Sequence, residues 1–570
     1  MLRSGLLLFA VALAVRLLFD WATPDSAWPY SAVFKGDALV WLDYAQSLRA
    51  GAPFELGLPI HPPGTGYLLS WVWDGSESGF AALRFLWAAF GAAAVTLFFL
   101  AAARSLGTLA ATLTGWMLAG SSGLIFLSSS LNAEAPYLVL VAGSFVLFED
   151  LVPRPRLSRL LGWACLQGLA CLFRVEHVLF ALGMLALLAI AWWRSSRSPR
   201  TVATGLGLAL VAFLAPLVPW HARAWSAIWR FNTTEIEAAE ARRVEARSGL
   251  PWDPAALERL QGLPAFARPI GAGFVAATVR HRGGQRVRLD DFEVLREAFD
   301  YVPRPLGCFP FVSCYGALNF ALANNAAATG GFSPALLEAP PRLLGGSARY
   351  PAALVAGLPP PQLALVYPPH LRLLNEGYAL GTAWIAHDPA AFAALALRKL
   401  GIFGSGALLG VTGFDWPLGL SGTRRAVDLA TPDAGLLAWA WRLALCAGCL
   451  AGAVAGRGRL ALWPWLLFLL SKLATTLLFF GYARLGATTI PVLALLLALG
   501  AERWLWPRLP AAAQGVRAVA VVAILLVAAE GARFLAHAEL RIDGRPVVGA
   551  GDAFGADVHR DQQLTVTYMR

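Results

Sequence analysis

The chain is threaded by apolar runs too long for the core of a soluble domain. "GLLLFAVALAVRLLF" (residues 5–19) and "FAALRFLWAAFGAAAVTLFFLAAA" (residues 80–103) are two of many. Runs of roughly 18 or more apolar residues mark membrane helices. In lipid only helices or closed barrels satisfy every backbone polar group. Continuous rather than alternating apolar runs select helices. The chain therefore reads as an all-α polytopic membrane protein. Spans are expected near Leu6–Trp21, Phe80–Leu100, Thr108–Ser128, Ala135–Leu151, Leu160–Phe173, Val178–Trp193 and Val202–Trp220. Four more are expected near Leu436–Ala455, Leu460–Phe480, Ala487–Leu499 and Ala518–Leu535, for about eleven in all. The N-terminal run lacks a small-residue cleavage site before Asp20, so it reads as a retained helix and not a signal peptide.

These boundaries divide the 570 residues into four regions: a transmembrane region 1–221, an external loop region 222–434, a second transmembrane region 435–535 and a tail 536–570. Charge orients them. Arg3, Arg104, Arg154, Arg156, Arg159, Arg194, Arg197, Arg200, Arg457, Arg459, Arg503, Arg508 and Arg517 fall on one side, which the positive-inside rule makes cytoplasmic. That clustering accounts for most of the net charge of +11 and removes nucleic acid as a partner. The first loop, the long loop and the tail then face outward. The run from Pro389 to Phe414 is apolar, but crossing there would turn every later arginine cluster outward. It is expected to lie at the outer interface, with Arg398 and Lys399 at headgroup level. Lysine occurs only at positions 35, 399 and 472; arginine with abundant alanine and glycine points to a GC-rich bacterial genome and a bacterial cytoplasmic membrane. Of six cysteines, only Cys308 and Cys314 lie in an external loop, where a local bridge is open.

The outward ends collect acids and bases. Asp37, Asp43, Glu55 and His61 lie in the first loop; Glu134 opens the fourth span; Arg174, Glu176 and His177 join the fifth and sixth; Tyr482 and Arg484 join the ninth and tenth. Such a face suits transfer from a lipid-linked donor. A departing phosphate calls for arginine or lysine at the membrane surface, and an acceptor hydroxyl or amine calls for a carboxylate to take its proton. No D-x-D, H-E-x-x-H or spaced Cys/His set is present. No cofactor is required on this reading, which leaves room for a divalent metal ion.

"GDALVWLDYAQSLRAG" followed by "HPPGTGYLL" resembles the first external loop of GT-C glycosyltransferases, above all the protein O-mannosyltransferases and the lipid A aminoarabinose transferases. There an early acid precedes an A-x-x-L-x-x-G helix and a Pro-Pro pair; here these are Asp37, then Ala45, Leu48 and Gly51, then Pro62 and Pro63. "LNAEAPYLVL", "PWHARAW", "ALNFALANNAAATGGFSP", "AHDPAAFAALALRKLGIF" and "YARLGATTIPVLALL" resemble further segments in family order, up to about Leu499. The resemblance implies a GT-C-like bundle and a transferase that uses a polyprenyl-phosphate-linked sugar with inversion. The acceptor, whether lipid, polysaccharide or protein, would be met on the periplasmic or exterior face. It places Asp37 as the catalytic carboxylate and Lys399 and Arg484 near the donor phosphate. His61 stands where aminoarabinose transferases carry a lysine, and Ala38 replaces the second acid of the O-mannosyltransferase pair.

Other residues have plainer readings beside the functional ones. Glu134 is a second acid or acceptor contact, or a carboxylate favoured by a helix start. Asp43 is a second acid or a solvated one. Arg174 binds phosphate or snorkels to the interface. Lys472, inside "LLFLLSKLATTLLFF", reaches the phosphate, pairs with Glu134 or snorkels. Two rival classes stand beside the transferase. A transporter or flippase of lipid-linked saccharide would show an internal repeat and polar groups at the bilayer midplane; a scaffold would show only a binding loop.

Overall fold

The computed structural model describes residues 2–22, 37–52, 54, 58–153, 156–195, 198–233, 248–261, 267–291, 306–307, 311–333, 335–338, 362–364, 368–412, 436–505, 541–542, 545–546 and 565–567. The chain is helical, as its apolar patterning requires. In order come α1 (Leu2–Ala22), α2 (Ala38–Arg49), α3 (Gly64–Val72), α4 (Glu77–Ser105), α5 (Thr108–Ala119), α6 (Ser122–Ser129), α7 (Glu134–Leu151), α8 (Leu157–Phe173) and α9 (His177–Arg194). Then follow α10 (Pro199–Leu214), α11 (Val218–Thr233), α12 (Pro254–Gln261), α13 (Ala267–His281), α14 (Tyr315–Ala323), α15 (Ala335–Glu338), α16 (Pro368–His387) and α17 (Pro389–Thr412). The last are α18 (Leu436–Ala455), α19 (Trp463–Leu478), α20 (Ala483–Ala487) and α21 (Ile490–Gly500).

Each of the first ten expected spans falls on these helices; the eleventh, with Glu55 and Cys308, lies outside the described residues. Among the described residues, four helices are long and apolar enough to cross a membrane unaided, or six if each bent pair is one span. Two spans are broken: α5 and α6 meet at 55°, and α10 and α11 at 53°. Several other spans are short or charged. Helix α8 has 17 residues, α21 has 11, and α7 carries Glu134, Glu149 and Asp150.

Local chemistry sets the helix ends. Ser76 accepts from the Gly79 amide at 3.0 Å to start α4, and Ser198 precedes Pro199 to start α10. At one end of the bundle, three of the arginines assigned to a single side gather. Arg104 and Arg159 both reach Asp150 Oδ2, at 3.4 and 3.1 Å, and Arg459 donates to the Leu106 carbonyl at 3.0 Å. The opposite ends of α7 and α8, and the segment beyond α19, bear Glu134, Arg174 and Arg484. The two chemistries thus sit at opposite ends of the same helices.

The core is a continuous apolar cluster with Phe98, Phe145, Phe180, Trp465 and Phe468 at its centre. Phe145 packs against Trp465 at 4.9 Å and Phe180 against Phe468 at 5.4 Å. Outward-facing Leu182, Ile190, Val211, Leu443 and Leu450 are exposed, as lipid contact requires. Helix α17 packs closely against α20, because Gly406 and Gly486 each face the partner's backbone; a Cβ at either would collide with a carbonyl oxygen. That contact fixes the short helix carrying Arg484. Cys314 is disulfide-bonded. The tail contributes a strand, Thr565–Thr567, parallel to Gln362–Ala364 of the long loop, and a two-residue hairpin pairing at Arg541–Ile542.

Candidate active site

The site begins with a break in the third span. After α6, residues 130–133 leave helical geometry while staying inside the protein: Ser130 and Leu131 are fully buried and Asn132 is 1% exposed. Helix α7 then starts at Glu134, which is completely buried. Non-helical backbone at such depth is tolerated only where protein covers it and its polar groups are bonded. The segment is covered, and several of its backbone groups are bonded. Ser130 N–H donates to the Phe126 carbonyl at 3.1 Å, Asn132 N–H to the Ser130 carbonyl at 2.7 Å, and Trp87 Nε1–H to the Asn132 carbonyl at 2.9 Å.

Asp37 enters from the first loop as the residue before α2, and it makes no side-chain cap to its own helix. Its carboxylate turns to Arg484 instead: Nη2 donates to Oδ2 at 3.0 Å. Arg484 Nη1 donates to Asn132 Oδ1 at 2.9 Å and lies 3.8 Å from Glu134 Oε1. Asn132 Oδ1 also accepts the Asp37 backbone N–H at 3.0 Å. Arg174 donates from Nη2 to Glu134 Oε1, and its Nε lies 3.8 Å from Glu176 Oε1. Lys472 Nζ donates to Glu176 Oε1 at 3.3 Å. It also sits over the rings of Tyr137 and Phe468, at 4.5 and 5.4 Å. One chain of alternating charge thus runs Asp37, Arg484, Glu134, Arg174, Glu176, Lys472.

The chain continues inward through neutral groups. Tyr137 Oη meets His177 Nδ1 at 3.0 Å, and His177 Nε2 meets Gln167 Oε1 at 2.6 Å. The Gln167 oxygen only accepts, so Nε2 carries the proton and Nδ1 accepts from the tyrosine.

Burial works to raise the pKa of Asp37. The charge and hydrogen bond of Arg484, with His61 and Arg174 behind, outweigh it and hold the carboxyl below its ordinary 3.8. Asp37 is ionised at neutral pH, with 31% of its side chain exposed. Glu134 Oε2, by contrast, is buried without a hydrogen-bond partner.

The sequence-selected residues separate into groups. Asp37, Glu134, Arg174, Arg484 and Lys472 come together, with Lys472 held by Glu176. His61 lies in an aromatic nest with Tyr315 at 5.0 Å, Trp41 at 5.5 Å and Phe54 at 6.4 Å, close enough for its charge to act on Asp37. Asp43 is exposed on α2, and no described ion pair reaches it. Lys399 is fully buried; its ammonium donates to Asn324 Oδ1 at 2.8 Å and to the Leu477 carbonyl at 3.2 Å. Asn324 Nδ2 in turn donates to the Leu478 carbonyl at 2.8 Å. Here Lys399 and Asn324 close the C-terminal end of α19, where a cation complements the helix dipole. Asn132 lay unread inside "LNAEAPYLVL"; its signal was an amide placed where an apolar span stops short of an acid. Among the described residues, no three His, Cys, Asp or Glu side chains converge as a metal-binding group, and Asp37, Glu134 and Glu176 each face a guanidinium or ammonium.

A sequence model of the family described as "Dolichyl-phosphate-mannose-protein mannosyltransferase" matches residues 60–220. The GT-C resemblance read from the motifs holds over that stretch. No curated protein matches the chain. Among solved structures, it is similar to the oligosaccharyltransferase AglB of Archaeoglobus fulgidus, in complex with an inhibitory peptide and a dolichol-phosphate. Identity is 13% and the TM-score 0.38, over 94% of this chain and 56% of that one. An Archaeoglobus fulgidus oligosaccharyltransferase in the apo form gives 13%, 0.39, 95% and 57%. The chain thus spans little more than half the length of either.

Proposed function

We propose that the chain is an integral-membrane glycosyltransferase of GT-C type that moves a sugar from a polyprenyl-phosphate donor to an acceptor at the outer face of a bacterial cytoplasmic membrane. The observation that carries this reading is the convergence of Asp37, Arg484, Glu134 and Arg174 from four separate parts of the chain into one cluster at a single end of the bundle. In the reaction, an acceptor oxygen or nitrogen attacks the anomeric carbon as its bond to the phosphate oxygen breaks, with inversion. Asp37 takes the acceptor's proton. Arg484 and Arg174 neutralise the departing polyprenyl phosphate. His61, in its aromatic nest, flanks the sugar or phosphate, and buried Glu134 holds Arg174 and Arg484 in place behind them. Lys399 and Asp43 lie at the margin of this chemistry. The mannosyltransferase family model supports a lipid-phosphate-sugar donor, and the basic end opposite the cluster supports an outward-facing site.

The test uses polyprenyl-phosphate mannose as donor probe with purified full-length protein in membrane nanodiscs. Replacing Asp37 by Asn should abolish sugar transfer and leave the helical content unchanged. Full turnover by that variant removes Asp37 as the base.

A further inference from the structure

We propose that Asn132 is the positioning residue of this site: its side-chain oxygen clamps both members of the Asp37–Arg484 pair and sets the carboxylate in line with the cluster. The proposal deepens the transferase reading. It rests on that reading for its effect on turnover, but not for its geometry.

The geometry has three parts. Asn132 Oδ1 accepts the main-chain N–H of Asp37 at 3.0 Å and Nη1–H of Arg484 at 2.9 Å. Both partners can only donate, so the amide must present its oxygen, and the orientation is fixed by chemistry. Second, Arg484 Nη2 closes the triangle on Asp37 Oδ2 at 3.0 Å. One atom of Asn132 therefore holds the backbone from which the carboxylate hangs, while also holding the cation that faces it. Third, Asn132 is itself immobilised. It is 1% exposed, its carbonyl accepts from buried Trp87 at 2.9 Å, and its N–H donates to the Ser130 carbonyl at 2.7 Å.

The choice of an amide also has a reason. A carboxylate at 132 would offer the same acceptor geometry, but it would add a third anion beside Asp37 and Glu134 and hold Arg484 away from a departing phosphate. A neutral oxygen orients the guanidinium without competing for it.

The test reads the pair directly. Water-soluble carbodiimide with a glycine ester labels protonated carboxyls, and mass spectrometry reports the extent at Asp37, with exposed Asp43 as internal reference. Arg484, Arg174, His61, Glu134 and Tyr482 are the ionisable groups facing or close to Asp37. Loosening Arg484 makes protonation of Asp37 easier. Asn132→Ala, and Asn132→Ser whose hydroxyl cannot reach both donors, should raise Asp37 labelling near pH 6 by about threefold or more, in the direction of Arg484→Gln. With polyprenyl-phosphate mannose, both variants should lose about 10- to 100-fold in kcat with donor KM within about threefold, as misplacement without lost contact predicts.

Wild-type labelling in both Asn132 variants, while Arg484→Gln raises it, overturns the proposal. So does an Arg484→Gln that leaves Asp37 unchanged, because the clamp then has no pair to hold. A loss carried by donor KM instead makes Asn132 a donor contact and also overturns it. If wild-type protein does not turn over this donor, mannose fails as the sugar on its own, and the labelling still decides the role of Asn132.

Discussion

Lys472 is 1% exposed in the middle of an apolar helix, and its partner Glu176 sits 3.3 Å away with 19% of its side chain exposed. Replacing Glu176 by Gln leaves a buried ammonium without its counter-charge. Breaking such a pair from one side costs about 3–5 kcal/mol. The Tyr137 and Phe468 rings stay in place at 4.5 and 5.4 Å, so their cation–π contacts are common to wild type and variant. Glu176→Gln should therefore cost about 3–5 kcal/mol. Lys472→Met leaves Glu176 facing Arg174 at 3.8 Å, so its cost should be smaller, about 1–2 kcal/mol. The double variant removes both charges and keeps similar volume. It should fall within about 1 kcal/mol of wild type. The coupling between the sites is then at least about 2 kcal/mol. Unfolding by titration of SDS into mixed micelles, followed by tryptophan fluorescence, measures all four corners. A Glu176→Gln protein as stable as wild type would refute the reasoning, and so would a double variant no better than the sum of the singles.

Three further outcomes follow from single contacts. Because the folded Asp37 pKa lies below 3.8, its ion pair contributes fully above the unfolded value and is lost only as pH falls through the lower folded one. Wild-type turnover should then show no Asp37 limb between about pH 5 and 8, and Arg484→Gln should move that acid limb upward in a rate–pH profile. Lys399→Met removes the bonds to Asn324 and Leu477 and should lower stability by about 1.5–3 kcal/mol with donor KM unchanged; a tenfold or larger rise in KM at unchanged stability would place Lys399 in the donor site instead. Gly406→Val drives a side chain into the Ala483 backbone and should destabilise by about 1–3 kcal/mol in the same SDS titration, with transfer lost as α20 shifts Arg484.

Much of the bundle was legible because hydrophobic runs in a membrane chain have few other outcomes. Three of the arginines that the charge rule put on one side, Arg104, Arg159 and Arg459, gather around Asp150 and the Leu106 carbonyl. The charged constellation was legible as a set of chain junctions, and Asp37, Glu134, Arg174 and Arg484 were named from it. Pairing within the set was not. Lys472 was open to Glu134 as partner, and it lies instead on Glu176, because both carboxylates stand at neighbouring junctions and only the packing of α19 against α9 chooses between them. Lys399 gave the same difficulty. Its position beside outer segments suggested phosphate, while the backbone carbonyl it meets belongs to a helix end 78 residues away in sequence. Asn132 was harder for a third reason: an uncharged amide where a span stops short of an acid shows its role only when both of its donors are in place.

The break between α6 and α7 explains why these residues can meet at all. A continuous helix through 130–133 would have carried the backbone N–H and C=O groups within itself and left Asn132 and Glu134 on different faces of one cylinder. Interrupting it frees those groups for tertiary use, which in lipid demands partners. The neighbouring helices supply them. Trp87 of α4 satisfies the Asn132 carbonyl. On the other side of the break, fully buried Arg16 of α1 donates to Ser128 Oγ at 2.9 Å and to the Ala12 carbonyl at 3.0 Å. Arg84 of α4 then reaches the Asp20 carbonyl at 2.6 Å. A buried arginine and carboxylate in the first span, with partly buried Arg84 in the second, are hard to justify as packing, since each costs desolvation that an apolar side chain would not. They become intelligible as the brace for α6, the short helix that delivers the broken segment to Asp37 and Arg484. The site is therefore held from behind, where buried polar groups brace the helix before the irregular turn, and open in front, where the Asp37 carboxylate is partly exposed.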